Sequence, residues 1–135
     1  MLYRAKIKNS RRKNFIYGSI IEDKWFSYLI KRSINPSGDE YFSSLAIEVI
    51  PETVGISLDI NDVDGIQIFQ GDIVTDINYG GYAEVKWSKE YLCWVLFYSE
   101  TEWFYLADYM NQIRVIGNMF DNSELMKLNY EEDEI

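Results

Sequence analysis

Histidine is missing from all 135 residues, and the chain has one cysteine, two prolines and no apolar run that approaches membrane-spanning length. Each absence removes a class of function. Without histidine, the ordinary general base at neutral pH and the commonest metal ligand are gone, so acid–base work would fall to carboxylates, lysines or tyrosines with tuned pKa values. A single cysteine, Cys93, forbids an intrachain disulfide; set in an apolar run, it reads as a buried small hydrophobe, and a reducing cytoplasm is the expected home. Residues 1–13 are basic but lack the apolar core of a leader peptide, so a soluble protein with no membrane partner is expected. No catalytic, cofactor-binding or metal-binding spacing is present, and the chain is read as not an enzyme, with no cofactor.

What is present is β-forming. Aromatic residues make up 16% of the chain, enough large rings to fill a thin sheet protein with few side chains. Residues 64–74 read DGIQIFQGDIV, in which Asp64-Gly65 and Gly71-Asp72 supply turn residues on either side of a short run of β-branched and aromatic side chains. The next strand continues to Ile77 and stops at Asn78-Tyr79-Gly80-Gly81. Ala83, Val85 and Trp87 then alternate with Glu84 and Lys86, a period of two that describes a strand with one dry and one wet face. Strands are also expected over residues 2–8, 14–21, 25–30, 91–99, 102–105 and 113–117, with a helical turn near 106–110 and a helix over 122–128 capped by Asn122 or Ser123.

In that order, DGIQIFQGDIV, VKW at residues 85–87 and VIGN at 115–118, preceded by PETVG at 51–55 and followed by an acidic short helix, resemble the YopX family of phage and prophage proteins. The agreement covers residues 51–128 and is looser in the N-terminal third; where the family has a Gly-Leu-containing loop after VG, this chain reads ISLDINDV. The resemblance implies a small β-rich fold with a curled, SH3-like sheet and no established biochemical activity, and it carries no catalytic residues to transfer. The expected architecture is mainly β: a strongly bent antiparallel sheet forming a partly open SH3-like barrel, with an N-terminal strand extension and one short C-terminal helix. Residues 1–47 are read as a basic β-hairpin segment that packs on the body, 48–128 as the YopX-like core and 129–135 as an acidic tail.

Charge is unevenly spread. Residues 1–35 hold nine lysines and arginines against two acidic residues, a balance of +7, which leaves −16 for the rest of a chain whose net charge is −9. Arg4, Lys6, Lys8, Arg11, Arg12 and Lys13 are therefore the candidate contacts for nucleic acid or for an acidic partner. Against nucleic acid stands the field of the whole chain, which opposes a phosphate backbone at long range. Asp59, Asn61, Asp62 and Asp64 crowd one loop, yet the calcium-loop spacing fails: counted from Gly65, the first and twelfth positions hold Ile60 and Gly71. The alternative is a solvated turn whose aspartates accept backbone amides. Glu90, Glu100 and Glu102 read as exposed loop charge.

Among the aromatic series Tyr91, Trp94, Phe97, Tyr98, Trp103, Phe104 and Tyr105, core packing is the default, and Trp94, Trp103 and Tyr105 are the candidates for a protein-binding surface. Their neighbours are acidic, which suits a partner protein with basic patches better than nucleic acid. The reading is a non-enzymatic protein-interaction module of phage or prophage type that binds a host or phage protein and self-associates. The alternative is a nucleic-acid-associated accessory protein that uses the basic N-terminal strands.

Overall fold

The computed structural model describes residues 1–11, 13–22, 27–34 and 40–131. Among them are eleven strands in two antiparallel sheets, and by contacts the chain divides into two units, Met1–Ser57 and Leu58–Ile135. Arg12, the turn formers at 35–39 and the end of the acidic tail lie outside the described residues, as do residues 23–26, where the expected connection and the start of the strand over 25–30 fall.

In the first unit the strands are β1 (Tyr3–Lys6), β2 (Phe15–Glu22), β3 (Ser27–Ile34) and β4 (Glu40–Glu48), followed by the start of β5 (Gly55–Asn61). Their order is β4-β3-β2-β1-β5, so the first strand of the chain sits between two partners. It pairs with β2 through Lys6↔Phe15 and with β5 through Arg4↔Gly55. Thr53, in the 3-10 turn Pro51–Thr53, closes the corner: its hydroxyl donates to the Ile50 carbonyl at 2.6 Å and accepts the Lys6 amide at 2.9 Å. Ala5 and Val49 are the buried centre, with Tyr3, Ile16, Ile20 and Val54 packed around them. Strand β4 is an element the sequence reading did not assign.

Strand β5 carries the chain into the second unit, where β6 (Gln67–Phe69), β7 (Asp72–Asp76), β8 (Gly80–Ser88), β9 (Cys93–Ser99), β10 (Glu102–Tyr105) and β11 (Ile113–Asn118) follow. The five-stranded sheet is ordered β10-β9-β8-β7-β11 and is open, since its edge strands do not pair with each other. Its core is Ile68, Val74, Ala83, Val85, Leu96, Leu106 and Ile113. The pairing register shifts between Val74 and Asp76, between Val115 and Gly117, and between Glu102 and Trp103. Such irregularities bend a sheet and increase its twist. At the first of them the backbone of Tyr82 has no strand partner, and the Asn129 side chain takes its place: Oδ1 accepts the Tyr82 amide at 2.8 Å and Nδ2 donates to the Tyr82 carbonyl at 2.7 Å.

Three expectations change. The helix expected over 122–128 is a 3-10 segment, Ser123–Lys127, that runs into one α-helical turn, α1 (Leu128–Glu131). Asn122 does not cap it; its Oδ1 instead accepts the Asn118 amide at 3.2 Å, while Asn118 Oδ1 accepts the Phe120 and Asp121 amides at 3.0 Å. These asparagine turns compete with helix initiation. Cys93 is half-buried rather than buried, because it opens β9 directly after Leu92, which is exposed with φ 54°. Trp87 keeps to the face of Ala83 and Val85, where it pairs with Trp94, but near the end of β8 it is 41% exposed.

The Gly71 turn is held on both sides, with its amide donated to the Val85 carbonyl at 2.9 Å and its carbonyl accepting the Met119 amide at 2.8 Å. Its φ of 86° is a conformation that side chains with a Cβ rarely adopt, although a Cβ there would meet only Phe120, at an ordinary 3.5 Å. The cost of substitution is thus backbone conformation, not a clash. Gly71→Val is expected to lower stability by about 1–2 kcal/mol, and an unchanged melting temperature would contradict this.

Candidate functional site

The basic N-terminal residues do not form one surface. Arg4 and Lys6 lie two apart on β1 and so point to the same side, and both are nearly enclosed, at 6% and 8% exposure. Phe15, cross-strand from Lys6, receives them: the Arg4 guanidinium lies 4.1 Å and the Lys6 ammonium 4.3 Å from its ring centroid. Lys6 Nζ also donates to the Lys13 carbonyl. Lys8 pairs with Glu48 at 3.2 Å on the surface. Arg11 and Lys13 are exposed, and Arg12 lies outside the described residues.

The three candidate aromatics also divide. Paired residues of an antiparallel ladder share a face, and the register Trp103↔Phe97, Phe104↔Leu96, Tyr105↔Val95 puts Trp103 and Tyr105 on one face of the β8–β9–β10 sheet. Trp94 alternates onto the other, where it packs on the core and meets Trp87 edge-on at 5.2 Å. Tyr91, from the β8–β9 connection, completes the first group: it lies 4.8 Å from Trp103 and 6.3 Å from Tyr105, with Trp103 and Tyr105 5.5 Å apart. Tyr91 and Tyr105 remain 48% and 43% exposed. Lys86 lies over Phe97 at 4.5 Å on the same face, where burial raises the pKa of Glu84 against the opposing charge of Lys86. Cys93 and Trp94 line an apolar cavity of about 560 Å³ with Leu58, Leu106 and Met110.

A second cavity, of about 420 Å³, opens on the opposite side of the sheet from Trp103 and Tyr105. Its aromatic walls are Tyr98, Phe104 and Tyr109, joined edge-to-face at 5.8 Å (Tyr98–Phe104) and 5.5 Å (Phe104–Tyr109). Asp76 and Glu102 supply carboxylates, and the Gly80-Gly81 turn forms part of the rim. Asp76 is buried and fully engaged: Oδ1 accepts the Asn78 and Tyr79 amides at 2.8 and 3.0 Å, and Oδ2 accepts Gln112 Nε2 at 2.7 Å. Burial alone would raise its pKa, but these donors together outweigh it and hold the carboxyl below its ordinary value. The Tyr98 phenol is pushed up to about 12, first by burial and then by the charges of Asp76 and Glu102. No signal short of the strand register brings these residues together, and Asp76 was not among the residues the sequence singled out.

The aspartate-rich loop is structural. Asp62 is buried, with Oδ1 accepting the Asp64 and Ile66 amides, both at 2.9 Å, and Oδ2 accepting the Val115 amide at 2.8 Å. Burial raises its pKa, yet the three amides and the nearby Arg114 prevail and lower it. Arg114 itself is paired with Asp64 at 2.7 Å. Glu90, Glu100 and Glu102 are exposed. Among the described residues, no group of three or more acidic or cysteine side chains is arranged to hold a metal ion, and no helix is long and apolar enough to cross a membrane.

A family model described as YopX protein matches residues 2–127. The chain belongs to the YopX family. The match begins near the N-terminus, so the strands of Met1–Ser57, where the sequence resemblance was loosest, are part of the YopX pattern too. No curated protein matches the chain.

Two titrations follow for this YopX protein. A carboxyl with a depressed folded pKa contributes stability that is complete above its unfolded value and is lost as pH falls through the folded value. Asp62→Asn is therefore expected to cost roughly 2 kcal/mol at neutral pH, since a charged acceptor is removed from three amides, and to flatten the acid limb of the stability curve below about pH 4. Denaturant unfolding at a series of pH values measures both. Tyr98 has the opposite sign: its raised pKa preserves stability up to the ordinary tyrosine range and loses it as pH climbs beyond. In a spectrophotometric titration of the eleven tyrosines, the step near pH 12 should vanish in Tyr98→Phe.

Proposed function

We propose that this YopX-family chain is a phage-type, non-enzymatic interaction module that docks a host or phage protein through the β8–β9–β10 face. The observation that carries the reading is the Tyr91–Trp103–Tyr105 group, three rings within 6.3 Å of one another of which two stay more than two-fifths exposed. Rigid, partly exposed rings are the residues that dominate protein interfaces, because they offer large contact area with few rotamers to freeze. Glu90 adjoins the group in sequence and is exposed, so a complementary partner surface carries basic residues at its rim. A second copy of the chain is a weaker fit, since the chain's net charge of −9 opposes self-association.

The nucleic-acid reading through the N-terminal strands is left with less to use. Arg4 and Lys6 are occupied with Phe15, which leaves Lys8, Arg11 and Lys13 as the exposed members of that basic group among the described residues. A few phosphate contacts give weak, steeply salt-dependent binding.

The deciding experiment is capture of partners from host lysate with the tagged chain, at low and moderate salt, with and without nuclease, beside a Tyr91→Ala/Tyr105→Ala double variant. The expected result is a protein retained through nuclease treatment and lost with the double variant. Retention that disappears with nuclease or moderate salt, unchanged by the double variant, would shift the assignment to the basic edge.

A further inference from the structure

We propose that the cavity walled by Tyr98, Phe104 and Tyr109 is a binding site for an alkylammonium group, either a small free amine or the end of a lysine side chain. It faces away from the docking rings, and the proposal stands independently of them.

The chemistry follows from what lines the space. Aromatic faces carry a negative quadrupole and attract a desolvated cation within about 6 Å of the ring centroid. Here three rings stand nearly perpendicular to their neighbours, at 83° and 65°, so they form walls instead of a flat stack. The two charged residues that line the cavity, Asp76 and Glu102, are both carboxylates, and no lysine or arginine lines it. Asp76 keeps its charge because its oxygens are held by two amides and a glutamine side chain, so it is an anchored countercharge that needs no reorganisation when a cation arrives. Glu102 is exposed and supplies a second negative group.

The shape is protected at the rim. A Cβ at Gly81 would stand 3.0 Å from Tyr98 Cε1, closer than the ring tolerates without moving, so the absence of a side chain there lets the backbone approach the ring that forms one wall. A volume of about 420 Å³ lies within the ordinary range of small-molecule pockets and exceeds what one ammonium head with its alkyl stem requires. An anion would meet two carboxylates, one of them fixed, and a neutral apolar group would gain nothing from either charge, so the cation is the occupant the lining favours.

Tetramethylammonium, Nα-acetyl-lysine amide and the neutral analogues tert-butanol and Nα-acetyl-norleucine amide are titrated into the isotope-labelled full chain at constant ionic strength, followed by amide chemical shifts. Saturable shifts at Gly80, Gly81 and Ser99 with a cation, absent with its neutral analogue, are the expected result. Tighter binding of tetramethylammonium identifies a small free cation, and tighter binding of the lysine derivative identifies a protein side chain. Glu102→Gln, which keeps the shape and removes one charge, should weaken binding about fivefold, and Phe104→Leu, which keeps an apolar wall and removes a ring, by a similar factor. Neutral analogues that bind as well as the cations, or cations that produce no saturable shift in the unmodified chain, overturn the proposal. Because that comparison uses the unmodified chain, it holds whether or not either variant folds. Loss of partner capture in the Tyr91/Tyr105 variant tests the docking face separately.

Discussion

Carboxylates buried against backbone amides are the interaction on which the second unit depends. Tight turns and shifted strand registers leave amides that no ladder partner reaches, and a buried amide without an acceptor costs as much as a lost hydrogen bond. Around β7 the acceptors are aspartates: Asp72 takes the Phe69 amide at 2.8 Å across the Gly71 turn, Asp76 takes two amides beyond the strand's end, and Asp62 ties the turn before β6 to β11. An ionised carboxylate serves here because it accepts several amides at once, and the amides in turn stabilise its charge. Part of the chain's acidity is therefore structural, fixed by the backbone it satisfies.

This explains why the turns of the second unit were legible in sequence while their chemistry was not. Glycine next to aspartate marks a position that needs positive φ, and Gly65 and Gly71 have φ of 80° and 86°. The same letters, Asp59 to Asp64, also fit a crowd of oxygen ligands. Only the side-chain directions separate the two, and for Asp62 they lead to amides. The segment over 122–128 is 3-10 rather than α-helical for a related reason: asparagine is a good cap, but Asn122 Oδ1 turns back to the Asn118 amide while Asn118 Oδ1 takes the Phe120 amide. Strand β4 was missed where the chain offered no clean alternation beside a cluster of turn formers.

Side-chain partition shows a sharper limit. Alternation along β1 separated Arg4 and Lys6 from Tyr3 and Ala5, but it said nothing about what covers each face, and a ring across the strand can enclose a cation as readily as an aliphatic side chain. The aromatic series was harder still. Trp94, Trp103 and Tyr105 read alike in composition, and their assignment to faces follows from the pairing register of β9 with β10, which a one-residue shift at Glu102 helps to set. A pattern local in sequence cannot report a register chosen by packing across three strands.

Asp76 links the structural role of these carboxylates to recognition. Its three donors pull its pKa down while burial and the neighbouring charges push that of Tyr98 up, so the two groups move apart and neither changes charge across the neutral range. In a chain without histidine, no imidazole stands beside the cavity to act as a switch. A site built from such groups has a constant negative charge, and a permanent cation is the ligand whose binding it supports without any accompanying proton transfer. The donors that keep the β7 turn folded thus also keep the cavity charged, and replacing Asp76 would remove both at once. For that reason Glu102, which accepts no turn amide among the hydrogen bonds that build the β7 turn, is the carboxylate through which recognition can be separated from folding.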